Sequence, residues 1–356
     1  MITRSTRIPG LHFEANDVDW SAGRGFARVG HSAGPRLVDF VTHAPDFVYS
    51  QYGIHVGQVD RLTFLGPLDR TLTGYFVDCR KGSDTLHSME VITFNPDPSQ
   101  KLVIDRGIAH TFDGLEHIVT RDEPIWYVDE DNPDFNMGSD VVNFPRESSP
   151  DLFPVVQPNS LPIPVECYRF ITARQHETYP LDGPLSYPVR FAVTVEDETR
   201  YVTATPIVEN SPLEPTLSTP TLGVPGVLWG RNYLVMSSGP GSYYIAENPN
   251  GEILEIIQCV KGRFPIYDAR LTPQAERITF MGNPGTTVTA YFIDRRPESP
   301  TRDSSFRRSF AVDPRFHLRI EAEIAYRFEG AQDITMRLES MLVSSVTPQS
   351  VESATT

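Results

Sequence analysis

The chain repeats itself. Slid by 216 positions, so that Arg61 falls on Arg277, the sequence matches its own second half without a gap. Pro9-Gly10 meets Pro225-Gly226, and Ser21-Ala22-Gly23-Arg24-Gly25 meets Ser237-Ser238-Gly239-Pro240-Gly241. The densest stretch sets Arg61-Leu62-Thr63-Phe64-Leu65-Gly66 against Arg277-Ile278-Thr279-Phe280-Met281-Gly282. It continues with Thr73-Gly74-Tyr75-Phe76-Val77-Asp78 over Thr289-Ala290-Tyr291-Phe292-Ile293-Asp294, and later Ile108-Ala109, Phe112, Gly114 and Ile118 match Ile324-Ala325, Phe328, Gly330 and Ile334. Roughly 30 identities over about 116 positions identify a duplication. Any fold open to the first copy must therefore be open to the second.

Within each copy the local pattern is that of strands. Leu72–Val77 and Val288–Ile293 are rich in β-branched and aromatic residues, and clusters such as Asn95-Pro96-Asp97-Pro98 and Gly282-Asn283-Pro284-Gly285 mark turns. No long stretch carries helical periodicity. An all-β sandwich or barrel is expected in each copy. The expected division is a first barrel over 1–147, a Pro-rich linker over 148–164, a second barrel over 165–343 and a disordered tail over 344–356. The strand-like segments Tyr168–Ile171 and Arg190–Val195 are assigned to the second unit.

Composition narrows the partners. A net charge of −15 argues against nucleic acid, because binding phosphates needs a concentrated basic surface. No apolar run approaches the ~20 residues needed to cross a bilayer, so no membrane partner is expected. The first residues, Met1-Ile2-Thr3-Arg4-Ser5-Thr6-Arg7, lack the apolar core of a secretory signal. The 3 cysteines, Cys79, Cys167 and Cys259, are odd in number and lack metal-type spacing. Reduced thiols in a cytoplasmic protein are the expectation.

Three segments of the first copy resemble the cupin family of dTDP-4-dehydrorhamnose 3,5-epimerases. Gly53-Ile54-His55 resembles the Gly-Leu-His that carries that family's catalytic base. Val77-Asp78-Cys79-Arg80-Lys81-Gly82-Ser83 resembles its Val-Asp-Leu-Arg-x-Gly-Ser strand and turn, and Arg106-Gly107-Ile108-Ala109-His110-Thr111-Phe112 its Pro-x-Gly-Phe-Ala-His-Gly-Phe. The resemblance spans about residues 47 to 145. It implies two tandem jelly-roll cupin barrels, a bicupin, and proton removal and return beside a ketone. Tyr52 stands where the family has a diphosphate-binding arginine, and Tyr127 is the nearest counterpart of its catalytic tyrosine.

The copies differ where chemistry would be. His55 is matched by Leu271, His110 by Tyr326 and His117 by Asp333, while Arg61, Asp78 and Arg80 persist as Arg277, Asp294 and Arg296. An isolated histidine is more often an interior residue with satisfied hydrogen bonds. Loss of all three from one copy favours function for His55 and His110 and leaves His117 evenly balanced. Histidine suits proton abstraction because its ordinary pKa lies near ~6.5. On the resemblance, His55 is the better base, and His110 orients it or polarises the carbonyl. Tyr127, Arg61 and Tyr75 are candidate donors, and His117 and Tyr52 are candidate substrate contacts. The persistent Asp78/Asp294 and Arg80/Arg296 are read as ion pairs or turn anchors. His55-Val56-Gly57 lacks a His-x-His pair and no Glu follows at suitable spacing, so a metal-free, cofactor-free site is expected.

The expected function is an epimerase or isomerase acting on an activated deoxysugar or a secondary-metabolite intermediate. Alternatives are a cyclase folding a polyketide-like substrate and a non-catalytic binding protein. The second copy is expected to stand in for the partner subunit of an ancestral dimer, and a homodimer is among the expected assemblies.

Overall fold

A computed structural model describes residues 4–16, 18–21, 26–29, 39–43, 47–135, 140–164, 167, 189–204, 222–231, 234–237, 242–246, 252–259, 275–282, 285–330 and 334–341. Within them the chain is almost entirely β, with a short 3-10 turn at Pro150–Leu152 and a helical residue at Cys167. Each copy forms a cupin-type barrel of two facing sheets. In the first copy one sheet runs in the order Val141–Pro145, Gln51–His55, Ile108–Asp113, Leu72–Asp78, Met89–Phe94. The sheet opposite contains Leu11–Ala15, Gln100–Ile104, Gln58–Leu65, Val119–Asp122 and Asp39–His43 in that order. Leu62, Phe64, Phe76, Leu102 and Phe112 fill the space between the sheets. Each such side chain contributes roughly 1.5–3 kcal/mol by leaving water.

The second copy repeats the plan. Thr287–Asp294 alternates strictly, with Val288, Ala290, Phe292 and Asp294 buried and Thr289 and Tyr291 less so. That is the two-residue period of a strand with one face on a core. Phe280, Phe292, Leu318 and Phe328 occupy the second interior.

The two barrels exchange strands. Phe26–Val29, from the first copy, pairs with Glu252–Cys259 and carries Val18–Ser21 beyond it, so both lie in the second barrel's sheet. Reciprocally, Ser242–Ala246 pairs with Asp39–His43 and carries Leu234–Ser237 into the first barrel's sheet. The 216-residue shift maps each exchanged hairpin onto the other, so the exchange is symmetric. Such an arrangement covers edges that would otherwise be open to pairing with other chains.

Two expectations about the segment between copies are corrected. Residues of the Pro-rich linker form a cover on the first barrel. Val156 exchanges backbone hydrogen bonds with Cys79 and Lys81, Asn159 N donates to Val56 O, and Phe153 and Val156 pack on Tyr52, Ile54 and Val77. The strand containing Arg190–Val195 joins the first copy rather than the second. Val189–Val195 pairs with Glu198–Ala204, which lies parallel to Asp134–Phe135. The reason is apolar: Val202, Ala204, Phe191 and Val193 need a covered face, and Trp126, Val128, Phe135 and Leu161 supply it. Tyr168–Ile171 and the tail 344–356 lie outside the described residues. Cys79 and Cys167 are buried and free. No helix among the described residues is long and apolar enough to cross a membrane.

The duplicated anchor is reproduced in both barrels. Asp78 receives Arg80 Nη2 at 2.7 Å, Ser83 Oγ at 2.6 Å and Thr85 Oγ1 at 2.6 Å. Asp294 receives Arg296 Nη2 at 2.8 Å, Ser299 Oγ at 2.6 Å and Thr301 Oγ1 at 2.7 Å. The expected ion pair is present, and its role is to fix the turn after each strand.

Candidate active site

Strand register brings the two histidines together. His110 stands opposite Gly53, which places His55, two residues further on, diagonally beside it on the same face. The rings stack with centroids 5.7 Å apart and planes inclined by 22°. Both face the barrel interior, where Asp60 arrives from the opposite sheet.

Each ring has a carboxylate. His55 Nδ1 lies 3.2 Å from Asp140 Oδ2, and Gly57 N donates to the same oxygen at 3.3 Å. Asp140 is delivered by the strand Val141–Pro145, in which Val141 is opposite His55. His110 Nε2 lies 3.3 Å from Asp60 Oδ2, while its Nδ1 lies 3.3 Å from the Ile108 carbonyl. Gln58 Nε2 donates to Asp60 Oδ1 at 2.6 Å and to Asp122 Oδ2 at 3.0 Å, and Arg61 N donates to Asp122 Oδ1 at 2.8 Å. Asp60, Asp122 and Gln58 are buried.

These surroundings split the two imidazoles. Burial opposes a charge on His55, but Asp60, the hydrogen bond to Asp140 and Asp122 outweigh it and push the ring up to about 9. For His110, burial dominates and the neighbouring His55 adds to it, so its pKa is lowered despite Asp60. At neutral pH His55 is an imidazolium and His110 a neutral ring. Environments that push two titrating groups apart mark an acid and a base.

The remaining candidates are placed elsewhere. Tyr52 and Tyr75 lie on the other face of the sheet, because each is an odd number of residues from an inward side chain, His55 and Phe76 respectively. Tyr52 packs edge-on against Phe153 at 5.0 Å, and Tyr75 lies 5.2 Å from the Arg146 guanidinium. Neither faces the histidines. Tyr127 has its ring under the Arg106 guanidinium at 3.7 Å and lines a small cavity with Asp140 and Asn159. No hydrogen bond or ring contact joins it to His55 or His110 among the described residues. Arg61 reaches the site through its backbone, its Nε being taken by the Glu123 carbonyl at 2.7 Å. His117 sits in a turn with φ of 63°. It is not part of the pair.

The fold also supplies groups that sequence reasoning passed over: Asp60, Asp140, Gln58, Asp122, His43 and Tyr49. Tyr49 stacks edge-on with Phe47 at 4.7 Å, and burial together with Asp60 raises its hydroxyl to about 12. Asp60 did leave a signal, since its counterpart Glu276 is also a carboxylate. The sequence offered no second ligand to accompany His55, yet His55, Asp60 and His110 present ligand atoms all within 4.8 Å of one another.

No protein-family model matches the chain, and no curated protein matches it. Solved structures do. A 4-keto-6-deoxy sugar epimerase from the novobiocin cluster of Streptomyces spheroides is 16% identical, over 35% of this chain and 67% of its own, with a TM-score of 0.28. An epimerase of Mycobacterium tuberculosis is 18% identical over 35% of this chain and 67% of its own, with a TM-score of 0.27. A dTDP-4-dehydrorhamnose 3,5-epimerase of Bacillus anthracis is 14% identical over 46% of this chain and 93% of its own, with a TM-score of 0.31. Each of these similarities covers less than half of this chain.

Proposed function

We propose that the first barrel is an epimerase or isomerase that removes and returns a proton beside a carbonyl. The observation that carries this reading is the stacked His55–His110 pair, each ring backed by its own carboxylate. His110, the neutral ring, takes the proton from the C–H beside the ketone. The electron pair moves onto the carbonyl oxygen, and the cationic His55 meets that oxygen as a hydrogen-bond donor. Stabilising the developing enolate in this way is where most of such catalysis arises. A water molecule on the opposite face then protonates the enolate carbon while His110 gives its proton back to solvent, which completes an isomerisation with no redox change. Relative to the sequence expectation the two histidines exchange roles, because three carboxylates keep His55 charged.

The substrate class follows from the motifs around His55, Asp78 and His110: a keto-deoxysugar, or a secondary-metabolite intermediate with an equally acidic C–H. A second reading, cyclisation of a polyketide-like intermediate, is favoured by one observation. Tyr52, at the position of the family's diphosphate-binding arginine, is buried on the outer face, and the interior is rich in carboxylates rather than cations.

The test is solvent exchange. A dTDP-linked 4-keto-6-deoxyhexose incubated with the protein in deuterium oxide should acquire deuterium beside the ketone, and His110→Ala and His55→Ala should abolish it. Exchange at the original rate in both variants would overturn the assignment. Absence of both exchange and thermal stabilisation by dTDP would turn the reading toward the non-nucleotide substrate.

A further inference from the structure

We propose that His55, Asp60 and His110 form a binding site for one first-row divalent transition-metal cation. Two imidazoles and one carboxylate, drawn from both sheets, present ligand atoms within 4.8 Å of one another. The strongest support is the state of the atoms on the far side of each group. His55 Nδ1 is engaged by Asp140 at 3.2 Å, His110 Nδ1 by the Ile108 carbonyl at 3.3 Å, and Asp60 Oδ1 by Gln58 Nε2 at 2.6 Å. Every outer atom is thus occupied, and His55 Nε2, His110 Nε2 and Asp60 Oδ2 remain on the inner side. Outer partners of this kind fix the tautomer and orientation of metal ligands.

A second observation concerns His110 alone. Its ring sets one nitrogen against each of two oxygens, the Ile108 carbonyl and Asp60 Oδ2, each at 3.3 Å. With the proton on Nδ1, the Nε2 lone pair confronts a carboxylate oxygen. A cation between them turns that conflict into two bonds. Ligand atoms held by bonds of about 2.1 Å at near-tetrahedral or octahedral angles sit roughly 3.0–3.4 Å apart, which brackets the observed 3.3 Å.

Charge and ligand type point the same way. Asp60 and Asp122 are both buried and share one Gln58 amide, so two carboxylates stand close to the imidazoles. Imidazole nitrogens favour zinc, iron, cobalt or nickel over magnesium or calcium. Three protein ligands leave positions open for water or a substrate oxygen. The second barrel offers no equivalent, having Leu271 and Tyr326 in place of the histidines. This inference goes beyond the isomerase reading and does not require it. A cation held on both Nε2 atoms keeps either ring from taking a proton, so loaded and proton-shuttling forms exclude each other.

The test uses the full-length chain, stripped with a chelator and titrated with Co2+ by visible absorption and calorimetry, with no substrate present. One equivalent per chain should bind, with visible bands of protein-ligated cobalt. Asp60→Asn and Asp140→Asn should weaken binding by about 10–100-fold. His12→Gln, on a separate strand, should leave it unchanged. Circular dichroism checks folding, and if Asp60→Asn fails to fold, Asp140→Asn and His110→Gln decide. Absence of cobalt bands, two equivalents per chain, or unchanged affinity in the folded site variants would overturn the proposal.

Discussion

In the second barrel the Tyr326 hydroxyl donates to the Glu276 carboxylate, at the two positions held in the first barrel by His110 and Asp60. One copy thus closes with a phenol–carboxylate hydrogen bond the place where the other keeps an imidazole–carboxylate pair. Asp122, whose carboxylate borders the first site, is replaced by the buried Leu338.

Removal of the acid–base pair should cost catalysis far more than stability. His110→Gln is expected to lower the exchange rate by about 10²–10⁴-fold, the usual worth of a positioned general acid or base. Deuterium uptake by the substrate, followed by NMR alongside thermal melts, separates the two effects.

Filling the site should do the same from a different direction. Gly53 lies opposite His110, and a Cβ added there meets no atom within 4 Å. Gly53→Val is expected to melt as the parent protein does while losing substrate-induced stabilisation. A melt lowered by more than about 1 kcal/mol equivalent would show that the space belongs to the fold instead, since surface-like changes cost about 0.5 kcal/mol or less.

The repeated anchors should be equally important in both barrels. Burial works against the Asp78 charge, but Arg80, Ser83 and Thr85 overcome it, and Arg296 leads the same effect at Asp294; both carboxyls are held well below the usual range. Their contribution is therefore complete above the ordinary carboxylate pKa and disappears as acid protonates the folded state. Asp78→Ala and Asp294→Ala should each cost about 1–3 kcal/mol, because the turn's hydroxyls and arginine lose their shared acceptor while Arg80 keeps Asp105 and Arg296 keeps Glu321. Urea unfolding at neutral pH measures this directly.

His43 should give a separate acid limb. Burial lowers it to about 4, against 6.5 when exposed, despite its Nδ1 contact with the Ile118 carbonyl at 2.9 Å. The unfolded chain thus takes up this proton first, and stability should fall between pH 6.5 and about 4. The loss is on the order of 3 kcal/mol at 1.36 kcal/mol per unit. Thermal midpoints across that range should flatten in His43→Gln.

The strand exchange makes its own prediction. A protease site placed within residues 205–221, between the copies, should yield two fragments that co-elute in native buffer and separate in denaturant. Fragments that part without denaturant would contradict the pairing of Asp39–His43 with Ser242–Ala246.

Much of this was legible in the sequence. Strands of the first copy reappear 216 residues later, as with Leu72–Asp78 and Thr287–Asp294, because identical turn and core residues impose identical local geometry. His55 and His110 stood out by being absent from the second copy. Their partners did not, since Asp60 and Asp140 reach them through sheet pairing that no local pattern encodes. Parity could have set Tyr52 apart, for it and His55 are three residues apart on one strand. The exchange itself was invisible: Val18–Ser21 and Phe26–Val29 read as a hairpin whichever barrel receives them.

The exchanged hairpins also bear on how such a chain can change over time. A duplicate gene normally drifts free of its parent or is deleted. Here the barrel that lacks counterparts of His55 and His110 completes the sheet of the barrel that has them, and borrows two strands in return. Selection on either barrel therefore preserves the other, and the pair can be lost only as a whole.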